Sequence, residues 1–169
     1  MGKWYVLHVK TGKEVEVKNI LLRDLPDIKA LVPQRILRER NDGVWKKVIR
    51  TLIPGYVFVK VFMDAAMFYK LTGTPSVIRI LDNEKGPEPI PEDEMQIVYR
   101  LSGDGDPLGI SEVFYEGGKI TIVSGPLQGL EGQIVKIDPR RFRAKVNITL
   151  MGEPRIVELG VDVINKIGT

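Results

Sequence analysis

The chain has 169 residues, of which 43% are hydrophobic and 28% are charged, and its formal net charge is +3. This composition predicts a folded protein with an adequate core and excludes a disordered chain; no apolar run approaches the roughly 20 residues of a membrane span. The chain has no cysteine, which excludes disulfides, thiolate metal sites and thiol nucleophiles, and with no secretion signal at its N-terminus we expect a cytoplasmic protein without membrane contact.

The first hundred residues alternate between strand and helix patterns. Apolar periodicity predicts strands over 4–10, 30–32, 35–40, 44–50, 56–62 and 77–81. It predicts helices over 13–25, after Asp64 to Leu71, and from Pro91 to about Leu101. Asn41-Asp42-Gly43 is a hairpin turn signal. The order of these elements is that of an α+β fold, a ferredoxin-like (RNP-like) α/β sandwich with a trailing helix.

A break in the pattern divides the chain. Residues 102–111 are rich in Gly, Asp and Pro and show no periodicity, so we expect a flexible linker there. We therefore predict an N-terminal domain over 1–101 and a second domain over 112–169. In the second domain, short apolar strands alternate with turns rich in Gly and Pro, which favours a small β-barrel.

One strand of the second domain can be divided into two faces. With a period of two, its core face is predicted to contain Phe142, Ala144, Val146, Ile148 and Leu150. Its solvent face is predicted to contain Arg141, Arg143, Lys145, Asn147 and Thr149. The small net charge does not by itself indicate a nucleic-acid binder, but the basic residues of this region are concentrated at Lys136, Arg140, Arg141, Arg143 and Lys145. Two interpretations stay open: a solvated strand face, or a phosphate-binding face.

Residues for catalysis are few. His8 is the single histidine, without a second ligand to share a metal, and no nucleotide-binding glycine loop occurs. We therefore expect no enzyme, no cofactor and no metal. The apolar run Leu52-Ile53-Pro54-Gly55-Tyr56 has two open interpretations, entry into the core or an exposed patch that binds a protein.

Several motifs together resemble the NusG family of transcription elongation factors. Trp4-Tyr5-Val6, the run at 52–57 and Thr74-Pro75 are similar to the family's N-terminal (NGN) domain, and residues 123–132 are similar to its KOW motif in an SH3-like barrel. The resemblance implies that the first domain binds the clamp helices of the largest subunit of RNA polymerase. The polymerase-binding residues would be Trp4, Leu52, Ile53 and Tyr56, with Thr72 and Thr74 facing the opposite wall of the channel.

Two features make the chain more similar to the LoaP subfamily of specialised NusG paralogs. The recruiting loop has Met151-Gly152 where an aromatic residue is usual before Gly, and Arg140-Arg141-Phe142-Arg143 is more basic than its usual counterpart. The resemblance implies processive antitermination of particular operons and binding of a nascent leader RNA hairpin. The predicted RNA-binding residues are Lys136, Arg140, Arg141, Arg143, Lys145 and Asn147.

Alternatives remain at this point. A housekeeping NusG would use the KOW domain to bind ribosomal protein or Rho, and a ribosome-associated KOW protein would bind structural RNA without polymerase. An enzyme is the third alternative. Contact with non-template DNA is left open, and we expect a monomer.

Overall fold

The computed structural model describes residues 2–164, without the side chain of residue 104, so residues 165–169 of the predicted 112–169 domain lie outside the described residues. Within them the chain has a mixed α/β fold that divides into two compact units. The first unit contains the residues up to Pro33 and those from Ile53 to Tyr99. The second contains Gln34–Leu52 and the residues from Arg100 onward.

The helices and strands agree with the elements predicted for the first hundred residues to within one residue at each end. Helices α1–α3 span Glu14–Asp24, Ala65–Thr72 and Glu92–Leu101. In the first hundred residues, strands β1–β8 span Lys3–Val9, Lys29–Leu31, Gln34–Asn41, Val44–Thr51, Tyr56–Val61, Val77–Ile80, Asp82–Asn83 and Gly86–Pro87. After α3, strands β9–β13 span Ser111–Glu116, Lys119–Ser124, Ile134–Asp138, Arg143–Leu150 and Glu153–Ile164. The short strands β7 and β8 have no counterpart in the prediction.

The first unit is built on an antiparallel sheet with the strand order β2-β5-β1-β6. One sheet face supplies the alternate apolar residues of β1 and β5 to a buried core, where they pack with Val17, Leu21 and Leu71 of the first two helices. Trp4, Val6 and Phe58, at the intervening positions, are buried as well. Both faces of the sheet are therefore apolar, as expected for strands without a polar side.

The ends of the helices follow the sequence signals. The Asp64 carboxylate accepts a hydrogen bond of 2.7 Å from the Met67 amide and so caps α2, as predicted. Pro91 precedes α3, whose first turn holds Glu92, Asp93 and Glu94, where the helix dipole favours acids. None of the three helices in residues 2–164 combines the length and the apolar character that crossing a bilayer requires.

The second unit is built on a five-stranded sheet with the order β10-β9-β13-β12-β11. Its long strand β13 pairs antiparallel with β12 along its first half and parallel with β9 at its end. Met151 and Gly152, with φ of 55° and 78°, form the two-residue turn between β12 and β13. Strand β12 is thus held on both sides, by β11 and β13.

The hairpin β3–β4 belongs to the second unit and packs near β13. The Arg35 guanidinium donates hydrogen bonds to the Glu158 carbonyl at 2.8 Å and the Thr51 carbonyl at 2.5 Å. Burial is the largest cause that lowers the pKa of Arg35, followed by the nearby Arg143 charge. A Cβ added at Gly160 would lie 2.7 Å from the Ile36 carbonyl oxygen, so the close approach of the hairpin requires glycine there.

The segment predicted as a linker makes backbone contacts with the same hairpin. The Ile36 amide donates to the Leu108 carbonyl at 2.8 Å, and the Leu108 amide donates to the Gln34 carbonyl at 2.9 Å. The Leu108 side chain is buried. The hairpin therefore groups with the residues after α3, although it precedes most of the first unit's strands and helices in the sequence.

Candidate nucleic-acid interface

Strand β12 has the two faces that its sequence predicts. Its buried face consists of Ala144, Val146, Ile148 and Leu150. On the opposite face Lys145, Asn147 and Thr149 are exposed. This part of the alternation is confirmed, and it places Lys145 on a solvent-facing surface of the sheet.

The prediction that Phe142 fills the core is wrong. The strand begins one residue later, at Arg143, and Phe142 lies in the left-handed region with φ 58° and ψ 43°, ending a short 3₁₀ turn. That turn reverses the chain and takes Phe142 out of the strand alternation. Its ring is half-exposed and packs nearly perpendicular to the Trp45 indole, with the ring centroids 4.9 Å apart.

A cleft of about 670 Å³ in the second unit brings most of the predicted RNA-binding residues together. Its lining combines the hairpin β3–β4 with β11, β12 and β13. The lining residues are Arg38, Glu39, Arg40, Trp45, Lys136, Asp138, Arg141, Arg143, Lys145 and Glu158. Arg140 and Asn147 are exposed but do not line this cleft.

Two lysines of the cleft stand directly opposite each other. Lys136 of β11 pairs in register with Lys145 of β12. Like charges in this position repel each other and destabilise a sheet. Among residues 2–164, neither lysine has a carboxylate oxygen within 4.0 Å, and the same holds for Arg40. This part of the cleft is thus suited to an anion.

Arg143 and Arg141 differ in their environment. The Arg143 side chain is only 15% exposed; its guanidinium lies 3.6 Å from the Glu158 carboxylate and donates to the Arg38 carbonyl at 2.7 Å. It therefore joins the hairpin to β12 more than it faces solvent. The Arg141 side chain is 82% exposed, with a long 3.9 Å contact to Asp138, and can turn toward a phosphate.

Sequence reasoning missed the hairpin side of the cleft, which is Arg38, Arg40 and Trp45. Arg38 forms a two-pronged ion pair with Asp162 at 2.9 and 3.0 Å, and that hydrogen bonding is the main cause that raises its pKa. Its guanidinium carbon lies 5.6 Å from the centre of the Phe142 ring. The one sequence feature that could have indicated this side of the cleft was a tryptophan on a strongly charged hairpin. No local sequence pattern indicates that residues 38–45 lie beside residues 136–145.

The residues predicted to bind polymerase lie largely inside the protein. Trp4, Leu52 and Ile53 are each at most 5% exposed. The Trp4 indole N–H donates to the Tyr99 hydroxyl at 2.5 Å, and the two rings meet edge to face at 5.8 Å. Tyr56 is half-buried beside the His8 ring at 5.8 Å. The interpretation of this run as entry into the core describes Leu52 and Ile53, whereas Tyr56 retains surface that a partner can contact.

The hydroxyl groups of Thr72 and Thr74 form hydrogen bonds at the C-terminal end of α2. Each donates to a backbone carbonyl four residues earlier, Thr72 to Phe68 at 2.8 Å and Thr74 to Lys70 at 2.9 Å. These bonds satisfy carbonyls at the end of the helix. Both side chains remain partly exposed.

No metal site competes with the cleft: in the part of the chain that the structure describes, no three residues of the His, Cys, Asp and Glu types cluster to hold an ion. The described residues form a mixed α/β protein with a cleft whose lining contains six basic and three acidic residues.

Comparison with known proteins gives the family. The model of the NusG family, described as transcription termination factor nusG, matches residues 2–99. The chain belongs to the NusG family, whose members are transcription termination and antitermination factors and not enzymes.

Similar proteins match nearly the whole length of the chain. The transcription termination/antitermination protein NusG of Helicobacter pylori strain J99 is 27% identical, covering 99% of both chains. That of Thermus thermophilus is also 27% identical, covering 97% of this chain and 98% of its own. A solved structure titled "Domain interaction in Thermotoga maritima NusG" is 27% identical over 95% of this chain and 94% of its own, with a TM-score of 0.60.

Proposed function

We propose that this protein is a processive antitermination and elongation factor of the LoaP type. Its N-terminal domain would bind the clamp helices of the largest subunit of RNA polymerase, and its KOW domain would bind a hairpin in the nascent leader RNA. Membership of the NusG family supports a role in transcription and, with it, a cytoplasmic location. A ferredoxin-like NGN domain over 1–101, a linker over 102–111 and an SH3-like KOW barrel over 112–169 remain our proposal, supported by the family match ending at residue 99.

The observation that carries the RNA contact is the pair of opposed lysines, Lys136 and Lys145. Glu158 is in register with Lys145 on its other side, but its carboxylate lies 3.6 Å from the Arg143 guanidinium. Repulsion between the two lysines therefore costs stability, which a bound phosphate would restore. Arg141, which lines the cleft and is largely exposed, adds a planar donor for phosphate. Arg140 and Asn147 would extend the contact beyond the cleft.

Binding of the full-length chain to the leader RNA encoded upstream of its operon tests this function. The comparison RNAs are a scrambled hairpin and a DNA duplex of equal length. We expect selective binding to the leader, and three to five phosphate contacts predict a log–log salt slope of about −2 to −4. The double substitution Lys136→Gln with Lys145→Gln should weaken binding and flatten the slope.

The matched control is Lys29→Gln with Lys119→Gln, which removes two exposed lysines that do not line the cleft. An equal loss of RNA affinity in the two double variants would refute the phosphate assignment. A log–log salt slope near zero for the unaltered chain would refute it as well.

The proposed contact with RNA polymerase is better tested by a substitution of Tyr56 than by one of Ile53. Because Ile53 is buried, Ile53→Asp would damage the fold and could not isolate a contact. Tyr56→Ser is suitable because Tyr56 is half-buried, and Tyr69→Ser, at an exposed helical position, is its control. We expect Tyr56→Ser alone to reduce retention of the full chain on RNA polymerase carrying intact clamp helices.

A housekeeping NusG is the second candidate, favoured by the names of the similar proteins, which are transcription termination/antitermination proteins. Binding of ribosomal protein or Rho by this chain, together with no preference for the leader RNA over the scrambled hairpin, would establish the housekeeping function.

A further inference from the structure

We propose that the cleft of the second unit binds an unpaired nucleotide of RNA, with the base stacked on Trp45 and the adjoining phosphates on Arg40, Lys136 and Lys145. This inference rests on the proposed function, because it assumes that the ligand of the cleft is RNA. It goes beyond a phosphate-binding strand face by assigning a base-binding position on the hairpin β3–β4.

The first support is the exposure of Trp45. The indole is 40% exposed on a hairpin strand whose neighbours are mostly charged. A large aromatic surface left in water costs free energy unless a ligand covers it. Phe142 packs against the indole and fixes its orientation without covering it. A rigid, partly open aromatic ring is the platform on which proteins stack nucleic-acid bases.

The second support is the position of a free cation beside that ring. Arg40 pairs in register with Trp45 across the hairpin, so the two side chains are neighbours on one face. Within residues 2–164, Arg40 has no carboxylate oxygen within 4.0 Å. By contrast, two other arginines of the cleft are engaged: Arg38 by Asp162, and Arg143 by Glu158. Arg40 is therefore a cation beside Trp45 that is available for a phosphate or a base.

The third support is the way in which Phe142 is held. A phenylalanine in the left-handed region is strained. Asp138 and Pro139 fix the turn that imposes this conformation: the Asp138 carboxylate accepts from the Arg141 amide, and the Pro139 carbonyl accepts from the Phe142 amide. This backbone conformation directs the Phe142 ring toward Trp45 and away from the core. A strained residue that buttresses an exposed aromatic ring is typical of a binding site.

The chemistry of the cleft favours an unpaired nucleotide over the alternatives. Its volume of about 670 Å³ lies in the range of small-ligand sites, about 300 to 1,000 Å³. A double-helical stem offers phosphates but hides its base faces, so it would leave Trp45 unused. An acidic peptide would satisfy the lysines but offers no aromatic face to the indole. A loop or single-stranded flank of RNA offers both phosphate and base.

The test uses the full-length chain and two synthetic probes, a uridine decamer and an abasic ribose-phosphate decamer with the same backbone charge. We expect the uridine decamer to quench Trp45 emission and to bind about tenfold or more tightly than the abasic one, as a stacked base contributes. Trp4, the second tryptophan, is buried, so a Trp45→Phe variant identifies which indole is quenched.

Substitutions in the cleft distinguish the contribution of base stacking from that of phosphate binding. Trp45→Ala should remove the preference for the uridine decamer and leave the salt slope unchanged, and Trp45→Phe should retain part of that preference. Lys136→Gln with Lys145→Gln should weaken both decamers equally and reduce the slope by about 1.4, since each phosphate on a single strand contributes about 0.7. Tyr115→Ala, at an exposed position of β9, is the control for loss of a surface aromatic ring.

The outcomes distinguish this inference from the function on which it rests. Equal binding of the two decamers by the unaltered chain, with a steep salt slope, would overturn the base site and leave phosphate binding intact. Absence of binding to both decamers and to the leader hairpin would overturn the proposed function as well. Displacement of the uridine decamer by polyglutamate at equal charge would overturn the assignment to RNA in favour of an acidic protein segment.

Discussion

Glu14 and Gly55, 41 residues apart in the sequence, are joined by a buried hydrogen bond of 2.8 Å from the Gly55 amide to the Glu14 carboxylate. The other oxygen of the same carboxylate accepts from the Gly12 amide at 2.9 Å. Glu14 is 2% exposed and is the first residue of α1, so one side chain fixes both the start of the helix and the turn before β5. That turn connects Ile53 to Tyr56, two of the residues proposed to serve polymerase binding.

We expect Glu14→Ala to destabilise the protein by about 2 to 4 kcal/mol, because two amides lose a charged acceptor and one of them is buried. Urea unfolding of the full chain measures this loss. Glu16→Ala is the control, since Glu16 is exposed and makes only a surface ion pair with Lys13. If Glu14→Ala lowers the free energy of unfolding no more than Glu16→Ala does, the role of Glu14 in joining the helix to the turn would be contradicted.

We expect Tyr99→Phe to cost about 1 to 2 kcal/mol, because the buried Trp4 N–H loses its hydroxyl acceptor. The indole emission should shift with the loss of this bond, so fluorescence and unfolding give independent measurements. Tyr115→Phe, which removes an exposed hydroxyl, should leave both unchanged. Unaltered emission in Tyr99→Phe would show that the Trp4 N–H has another acceptor.

The hairpin β3–β4 should weaken in acid. Hydrogen bonds from Arg50, both 2.9 Å, are the main cause that lowers the pKa of Glu39. A lowered pKa in the folded state means that the pair contributes stability above the unfolded pKa of about 4.3 and loses it as the pH falls through the folded value. Because both groups are partly exposed, the contribution should stay below about 1 kcal/mol. Carboxyl NMR titration should show a higher Glu39 pKa in Arg50→Gln, and no change there would contradict the pairing.

The opposed lysines predict a conflict between stability and binding. Lys136→Glu replaces a repulsive cross-strand pair with an attractive one, and β11 lies at the edge of its sheet with a paired strand on one side, so we expect the change to stabilise the chain by about 0.2 to 1 kcal/mol. The same change should abolish RNA binding, because the cleft then has one cation fewer and one anion more. Thermal unfolding and RNA titration of one preparation measure both effects, and a destabilised variant would refute the repulsion on which the phosphate assignment depends.

Local sequence patterns predicted most of the elements, because helix caps, turn residues and apolar periodicity act over a few residues. Asp64 as a cap and the turn at Asp42-Gly43 are examples, and both are observed. The alternation in β12 likewise predicted its buried face from Ala144 onward.

The errors and omissions concern contacts that no local pattern encodes. The sequence alternation predicts Phe142 on the core face of β12, but the left-handed turn before the strand takes it out of the alternation. The apolar run at 52–57 could not be divided into buried and accessible residues until packing showed Ile53 inside and Tyr56 half-buried. Trp45 was missed because its neighbours in the cleft are about a hundred residues away in the sequence.

The absence of a side chain at residue 160 gives experimental control over the cleft. A single methyl group in Gly160→Ala would act as a wedge, since its Cβ would meet the Ile36 carbonyl oxygen at 2.7 Å. Every cation and the Trp45 indole would remain in the chain, but the hairpin would be forced away from β13. The distance between the hairpin and β13 could thus be changed while the charges and aromatic rings of the cleft stay the same. No substitution of a residue that lines the cleft can do this.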